Sequence, residues 1–135
     1  MHYLQTKETD RIKILYIDDD LFQLQLFQLK FRNMFEVIIA EFGQNGLEVL
    51  KNNKDIDVVV SDYEMPFMNG LEFIEKARKI KNDIPFYILS CSHKTDEIRE
   101  ALQNKLIDNF FRKPINKSQL LNEIDLYYEL KQVKA

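Results

Sequence analysis

Four places in this 135-residue chain carry side chains whose types could do chemistry together: Asp18 with Asp19, Asp62, Ser90 and Lys113. Each place stands at the downstream end of a short apolar run: Ile12–Ile17 (IKILYI), Ile56–Ser61 (IDVVVS), Ile84–Ser90 (IPFYILS) or Ile107–Arg112. Three carboxylates held close repel one another unless a cation sits among them. With oxygen donors and neither His nor Cys in the set, the ion that suits the cluster is Mg2+, octahedral and keeping some waters. A metal beside a free carboxylate, an ammonium and a hydroxyl is a set of parts for phosphoryl transfer. A carboxylate oxygen attacks in line while the metal and the ammonium neutralise the equatorial oxygens.

Taken singly, each residue has a plainer reading. Asp18-Asp19-Asp20 could cap a helix and favour its positive end. Asp62 could be a turn residue, Lys113 a solvated charge, and Ser90 alone says little. The order of elements decides between the readings. After Ile12–Ile17, Leu21 to about Arg32 has helical spacing. Phe35–Phe42 reads as a second strand ended by Gly43, and Asn45-Gly46 opens a short helix to about Lys51. Ile56–Ser61, closed by Asp62, is the third strand, followed by the loop Tyr63–Asn69 and a helix from Gly70 to about Ile80. Ile84–Ser90, Thr95–Lys105, Ile107–Arg112 and Asn116–Lys131 complete five β-α units, with Asn116 or Ser118 near the last cap.

Such alternation makes an α/β fold, a parallel sheet with helices on both faces and right-handed crossovers. In open sheets of that kind the reactive site lies beyond the carboxyl ends of the strands. All the groups above then converge on one edge, an arrangement that chance rarely produces.

Composition narrows the setting. Hydrophobic residues at 45% and charged residues at 30% belong to a globular chain, and its length to one domain. We expect an N-terminal extension over 1–10 and a domain over 11–133. The longest apolar runs fall far short of the roughly 20 residues that span a bilayer, and Met1–Asp10 has no apolar signal core. A cytoplasmic location with no membrane partner is therefore expected. A net charge of −3 argues against a nucleic-acid partner, which needs a basic face. The single cysteine, Cys91, excludes an intrachain disulfide and any multi-cysteine metal site.

Four segments together resemble the receiver domain of two-component response regulators: ILYIDD (Ile14–Asp19), VVVSDYEMPFMNG (Val58–Gly70), ILS (Ile88–Ser90) and FFRKP (Phe110–Pro114). The resemblance runs from about Arg11 to Leu130 and is most specific in the second segment. It implies a flavodoxin-like, doubly wound (βα)5 sandwich with a five-stranded parallel sheet of order 2-1-3-4-5. It implies that Asp62 accepts a phosphoryl group from a histidine kinase or a histidine phosphotransfer protein, and that Asp18, Asp19, Asp62 and the backbone carbonyl of Glu64 hold Mg2+. Ser90 and Lys113 match the residues that meet the phosphoryl group, Phe110 the aromatic switch, and Lys113-Pro114 a peptide bond that is cis in the family. The chain would then be no conventional enzyme, but a phosphoacceptor that promotes its own phosphorylation and dephosphorylation. Its output would be a protein-binding surface on the fourth helix, fifth strand and fifth helix, facing a downstream protein or a second copy.

The sequence departs from the family at Leu106-Ile107, where Gly-Ala is frequent, and at Cys91, where a smaller residue is usual. Its last helix lacks the arginines of one DNA-binding subfamily, so that subfamily's dimer is not implied. Two alternatives stand beside the main reading. One is a receiver that forms part of a larger regulator or hybrid kinase. The other is a Mg2+ phosphatase of the haloacid-dehalogenase type, suggested by Asp18-x-Asp20 with a later Ser and Lys. That type needs a second acidic pair after the lysine, where only Glu123, Asp125 and Glu129 remain, and it leaves Asp62 without a role.

Further residues carry expectations. The first helix has two apolar stripes, Phe22/Leu26/Leu29 and Leu24/Phe27/Phe31; one should pack on the sheet and neighbouring elements should bury the other. Cys91 is expected to be small and buried, His93 an exposed loop residue, and Tyr127-Tyr128 half core and half surface. Glu64 and Ser92, two residues beyond Asp62 and Ser90, stand where they could set the lifetime of a phosphorylated state.

Overall fold

A computed structural model describes residues 11–134; the expected extension over 1–10 lies outside the described residues. Its elements alternate throughout: β1 Lys13–Ile17, α1 Leu21–Phe31, β2 Glu36–Ala40, α2 Gly43–Asn52, β3 Val58–Asp62, α3 Gly70–Ile80, β4 Phe86–Ser90, α4 Asp96–Gln103, β5 Asn109–Arg112 and α5 Lys117–Lys134. The strands form one parallel sheet in the order β2-β1-β3-β4-β5. Every strand begins one or two residues later than its apolar run; β2 also ends earlier, and β3 runs one residue further, to Asp62. Residues such as Ile12, Phe35 and Ile84 are buried beyond the ladder and add to the packing. Gly43 opens α2 instead of ending β2.

The period of two along each strand sorts the core into two layers. Ile14, Tyr16, Val58, Val60, Tyr87, Leu89 and Phe111 face α1 and α5, where Leu24, Phe27, Phe31, Leu120, Ile124 and Tyr128 meet them. Leu15, Ile17, Val59, Phe86 and Ile88 face α2, α3 and α4, covered by Leu47, Leu50, Phe73, Ile74, Ala77, Ile98 and Ala101.

Helix starts are chemically marked. Asp20 caps α1 by accepting from the Phe22 N–H at 2.9 Å. Asn69 and Glu72 form a reciprocal capping box at α3. Thr95 caps α4, and Asn116 accepts from the Gln119 N–H at the start of α5.

Two burial expectations are corrected. Only Leu24, Phe27 and Phe31 of α1 are buried, while Phe22, Leu26 and Leu29 are 62%, 41% and 58% exposed. The two stripes lie on opposite sides of the helix, and among the described residues a two-faced sheet covered by one layer of helices has nothing outside α1 to receive the second. Cys91 is exposed because β4 ends at Ser90, so the residue after it belongs to a loop. His93 is exposed in that loop, Tyr128 is buried and Tyr127 half-buried. No described helix is long and apolar enough to cross a membrane.

Candidate functional site

The ladder register brings the strand ends level. Ile17 pairs with Ala40 on one side and Ser61 on the other, Asp62 with Leu89, and Ser90 with Arg112. Asp18 follows β1, Asp62 ends β3, Ser90 ends β4 and Lys113 follows β5, so the four emerge on the same edge of the sheet. Backbone bonds beyond the ladder hold that edge together: Asp18 N–H donates to the Ala40 carbonyl, Tyr63 N–H to Leu89 and Lys113 N–H to Ser90.

Carboxylate oxygens of Asp18, Asp19 and Asp62 lie within 4.8 Å of one another. Asp18 and Asp62 are buried and Asp19 is exposed. Asp20, the third member of the acidic run, is spent on capping α1 and is no part of this cluster. The plain reading of that run therefore holds for Asp20, while Asp18 and Asp19 stand together with Asp62. It also removes the Asp18-x-Asp20 pair on which the phosphatase alternative rests. Glu123, Asp125 and Glu129 lie along α5, away from this set.

Lys113 bridges the two buried carboxylates, with Nζ 2.9 Å from Asp18 Oδ2 and 3.0 Å from Asp62 Oδ1. Burial works against its charge, but the bonds to Asp18 and Asp62 prevail and its pKa lies above the usual lysine value. Burial first, and then the Asp18 charge, push the Asp62 carboxyl up to about 6; Lys113 opposes the rise and Asp19 adds to it. Asp62 is thus a carboxylate under electrostatic load, offset in part by one ammonium. The chemistry of the donor set fits a hard divalent cation: three oxygen ligands of like charge, one of them open to solvent.

Other predicted residues fall around this centre. Ser90 is buried and its Oγ accepts from the Ser92 N–H at 3.1 Å. The Ser92 hydroxyl in turn meets Glu64 Oε1 at 3.4 Å, so the two flanking positions touch each other. Phe110, half-buried on β5, packs against the α2–α3–α4 layer. The Lys113–Pro114 peptide bond is cis. Gly70 is required by close approach: a Cβ there would stand 2.3 Å from the Asp62 carbonyl oxygen.

Two residues at the site were missed in the sequence reading. The Ser61 hydroxyl donates to the Asp62 carbonyl at 3.0 Å. The Tyr16 hydroxyl donates to Asp18 Oδ2 at 2.6 Å, and burial together with Asp18 holds that phenol well above its usual pKa. The signal for Tyr16 was present: a polar-tipped aromatic inside an apolar strand, two residues before Asp18 and so on the same face.

A family model described as response regulator receiver domain matches residues 14–125. The chain is 32% identical over 113 residues to the transcriptional regulatory protein GlrR of Escherichia coli K12, covering 83% of this chain and 25% of that protein. It is 27% identical over 118 residues to a chemotaxis protein CheY homolog of Campylobacter jejuni, covering 84% of this chain and 90% of the homolog. The chain thus spans about a quarter of the regulator and most of the homolog. Among solved structures, a response regulator receiver domain protein from Clostridium thermocellum superposes with a TM-score of 0.82 at 27% identity, over 92% of this chain and 99% of that one. A match running from β1 into α5, joined to this sheet order, decides the family: the chain belongs to the response regulator receiver domains of two-component signalling.

Proposed function

We propose that this receiver domain accepts a phosphoryl group on Asp62 from a phosphohistidine of a histidine kinase or phosphotransfer protein. The observation that carries the reading is the Lys113 bridge. One ammonium contacts both buried carboxylates while a third carboxylate completes an oxygen cluster. Asp18, Asp19, Asp62 and the Glu64 backbone carbonyl would hold Mg2+, which supplies charge neutralisation for the transferred group.

The protein's own part is positional. An Asp62 oxygen attacks phosphorus, the P–N bond breaks, and the imidazole leaves with the bonding pair. Lys113 is within reach to pass from Asp62 to the phosphoryl oxygens, and Ser90, at the end of the adjacent strand, offers a hydroxyl on the same edge. The group adds about −1.5 to −2 charge. Drawing Ser90 towards it frees space for Phe110, which packs beside α4, and so alters the α4–β5–α5 face presented to a downstream protein. The Glu64–Ser92 contact, made two residues beyond Asp62 and Ser90, would govern how readily water reaches the acyl phosphate.

Intact mass after incubation with acetyl phosphate and Mg2+ tests the assignment. Wild type should gain one phosphate, and Asp62→Asn, which keeps the shape without the nucleophile, should gain none. A phosphate on the Asp62→Asn variant would place the acceptor elsewhere.

A further inference from the structure

The proposed phosphoryl transfer makes no use of Tyr16, yet this residue makes the shortest of the bonds to Asp18. Its ring is 1% exposed and stacks on Phe27 of α1, with centroids 4.1 Å apart and planes inclined by 14°. A ring clamped between sheet and helix cannot swing its hydroxyl away. At 2.6 Å from Asp18 Oδ2, that hydroxyl is a charge-assisted donor.

Asp18, itself 1% exposed, accepts from three directions. Lys113 Nζ donates to Oδ2 at 2.9 Å, and the Asp20 N–H donates to Oδ1 at 3.0 Å. Lys113 is shared with Asp62 and must move when a phosphoryl group arrives; Asp20 belongs to the turn before α1. Of the three donors, Tyr16 is the one anchored in the core and committed to Asp18. A contrast lies two strands away on the same layer. The Tyr87 hydroxyl on β4 is equally buried and has no hydrogen-bond partner among the described residues.

We infer that Tyr16 is a positioning residue of the acidic pocket. Through its bond to Asp18 it holds that carboxylate in the orientation that takes up Mg2+, and it keeps the buried charge partnered when Lys113 turns to the phosphoryl group. This inference rests on the Mg2+ reading of the pocket. Hydrogen-bonded partners of metal-binding carboxylates act in this way, and their loss weakens metal affinity by roughly 10–100-fold.

Calorimetric titration of the whole chain with Mg2+ alone tests it. Tyr16→Phe keeps the ring stack and should weaken Mg2+ binding by about 10-fold, while Tyr87→Phe leaves affinity unchanged. In an Asp18→Asn background, Tyr16→Phe should have no further effect, because the route runs through Asp18. Unchanged or tighter binding by Tyr16→Phe overturns the inference. An equal loss in Tyr87→Phe, or a loss that persists without the Asp18 carboxylate, also overturns it by showing a packing role.

Should Tyr16→Phe not fold, tyrosine difference absorbance during Mg2+ titration gives the answer in a Tyr63→Phe protein, where the tyrosine next to Asp62 is silent. A signal saturating with the calorimetric isotherm supports the inference, and no signal overturns it. No Mg2+ uptake by the wild type would overturn the metal reading as well, an outcome distinct from failure of the Tyr16 variant alone.

Discussion

Asp62 combines two properties that pull against each other: burial that favours its neutral form and a proposed role that needs its anion. In the metal-free protein its pKa rises from 3.8 to about 6. A carboxyl whose folded value exceeds its unfolded value stabilises the fold below the unfolded pKa, and that contribution is lost as pH climbs through the folded one. Metal-free stability should therefore fall between about pH 4 and pH 6, by up to about 3 kcal/mol from this group. Asp62→Asn abolishes that decline. In urea unfolding with a chelator present, the variant should gain on wild type across the window and stay ahead above it. Parallel pH profiles for the two proteins would contradict the load assigned to Asp62.

At the scale of elements, the β3–α3 connection and the β4–α4–β5 region have separate tasks. Gly70 begins α3 directly against the Asp62 carbonyl, and the Gly70 N–H bonds the Tyr63 carbonyl. Gly70→Ala must displace backbone, since a Cβ would meet that oxygen at 2.3 Å. The expected cost is about 1–3 kcal/mol of stability, with weaker Mg2+ uptake as Asp62 shifts; unchanged melting and affinity would refute the close-approach argument.

Across the sheet, Ser90 is the proposed link from phosphate to α4. Ser90→Ala removes one hydrogen bond to a charged group, worth roughly 1.5–3 kcal/mol. A shift from 1:99 to 99:1 takes about 5.5 kcal/mol, so that one loss leaves the protein phosphorylated but poorly switched. Amide exchange across Thr95–Leu130, compared at equal phosphorylation, should change less in the variant than in wild type. Identical changes would remove Ser90 from the route.

For the whole molecule, ligand linkage sets the scale. A cation that binds only the folded state at a hundred times its Kd adds about 2.7 kcal/mol. In a domain of this size that raises Tm by on the order of 10 °C. Asp19→Asn should lose much of that rise while leaving the metal-free Tm unchanged or higher, since one repelling charge is gone. A clear fall in metal-free Tm would instead make Asp19 a structural residue of the α1 turn.

The pattern of apolar runs, each halted by a polar residue, was enough to determine the β-α alternation. Local chemistry carries that information: strand period, caps such as Asn69 with Glu72, and few glycines. It also singled out Asp18, Asp19, Asp62, Ser90 and Lys113, because strand ends of a parallel sheet share an edge whatever the intervening distance in sequence. What remained for the tertiary structure were matters of direction and neighbourhood. Asp20 leaves the acidic run to cap α1, because Asp18 is turned inward towards Lys113 and the Tyr16 hydroxyl, a contact that needs α1 to lock the ring. The second stripe of α1 is as apolar as the first, and Phe22 and Leu29 are exposed because the described residues supply no third layer. Cys91 has the composition of a core residue, but the ladder stops one residue before it. Hydrophobicity determines which residues can be buried, whereas the count of layers and the last ladder bond determine which ones are.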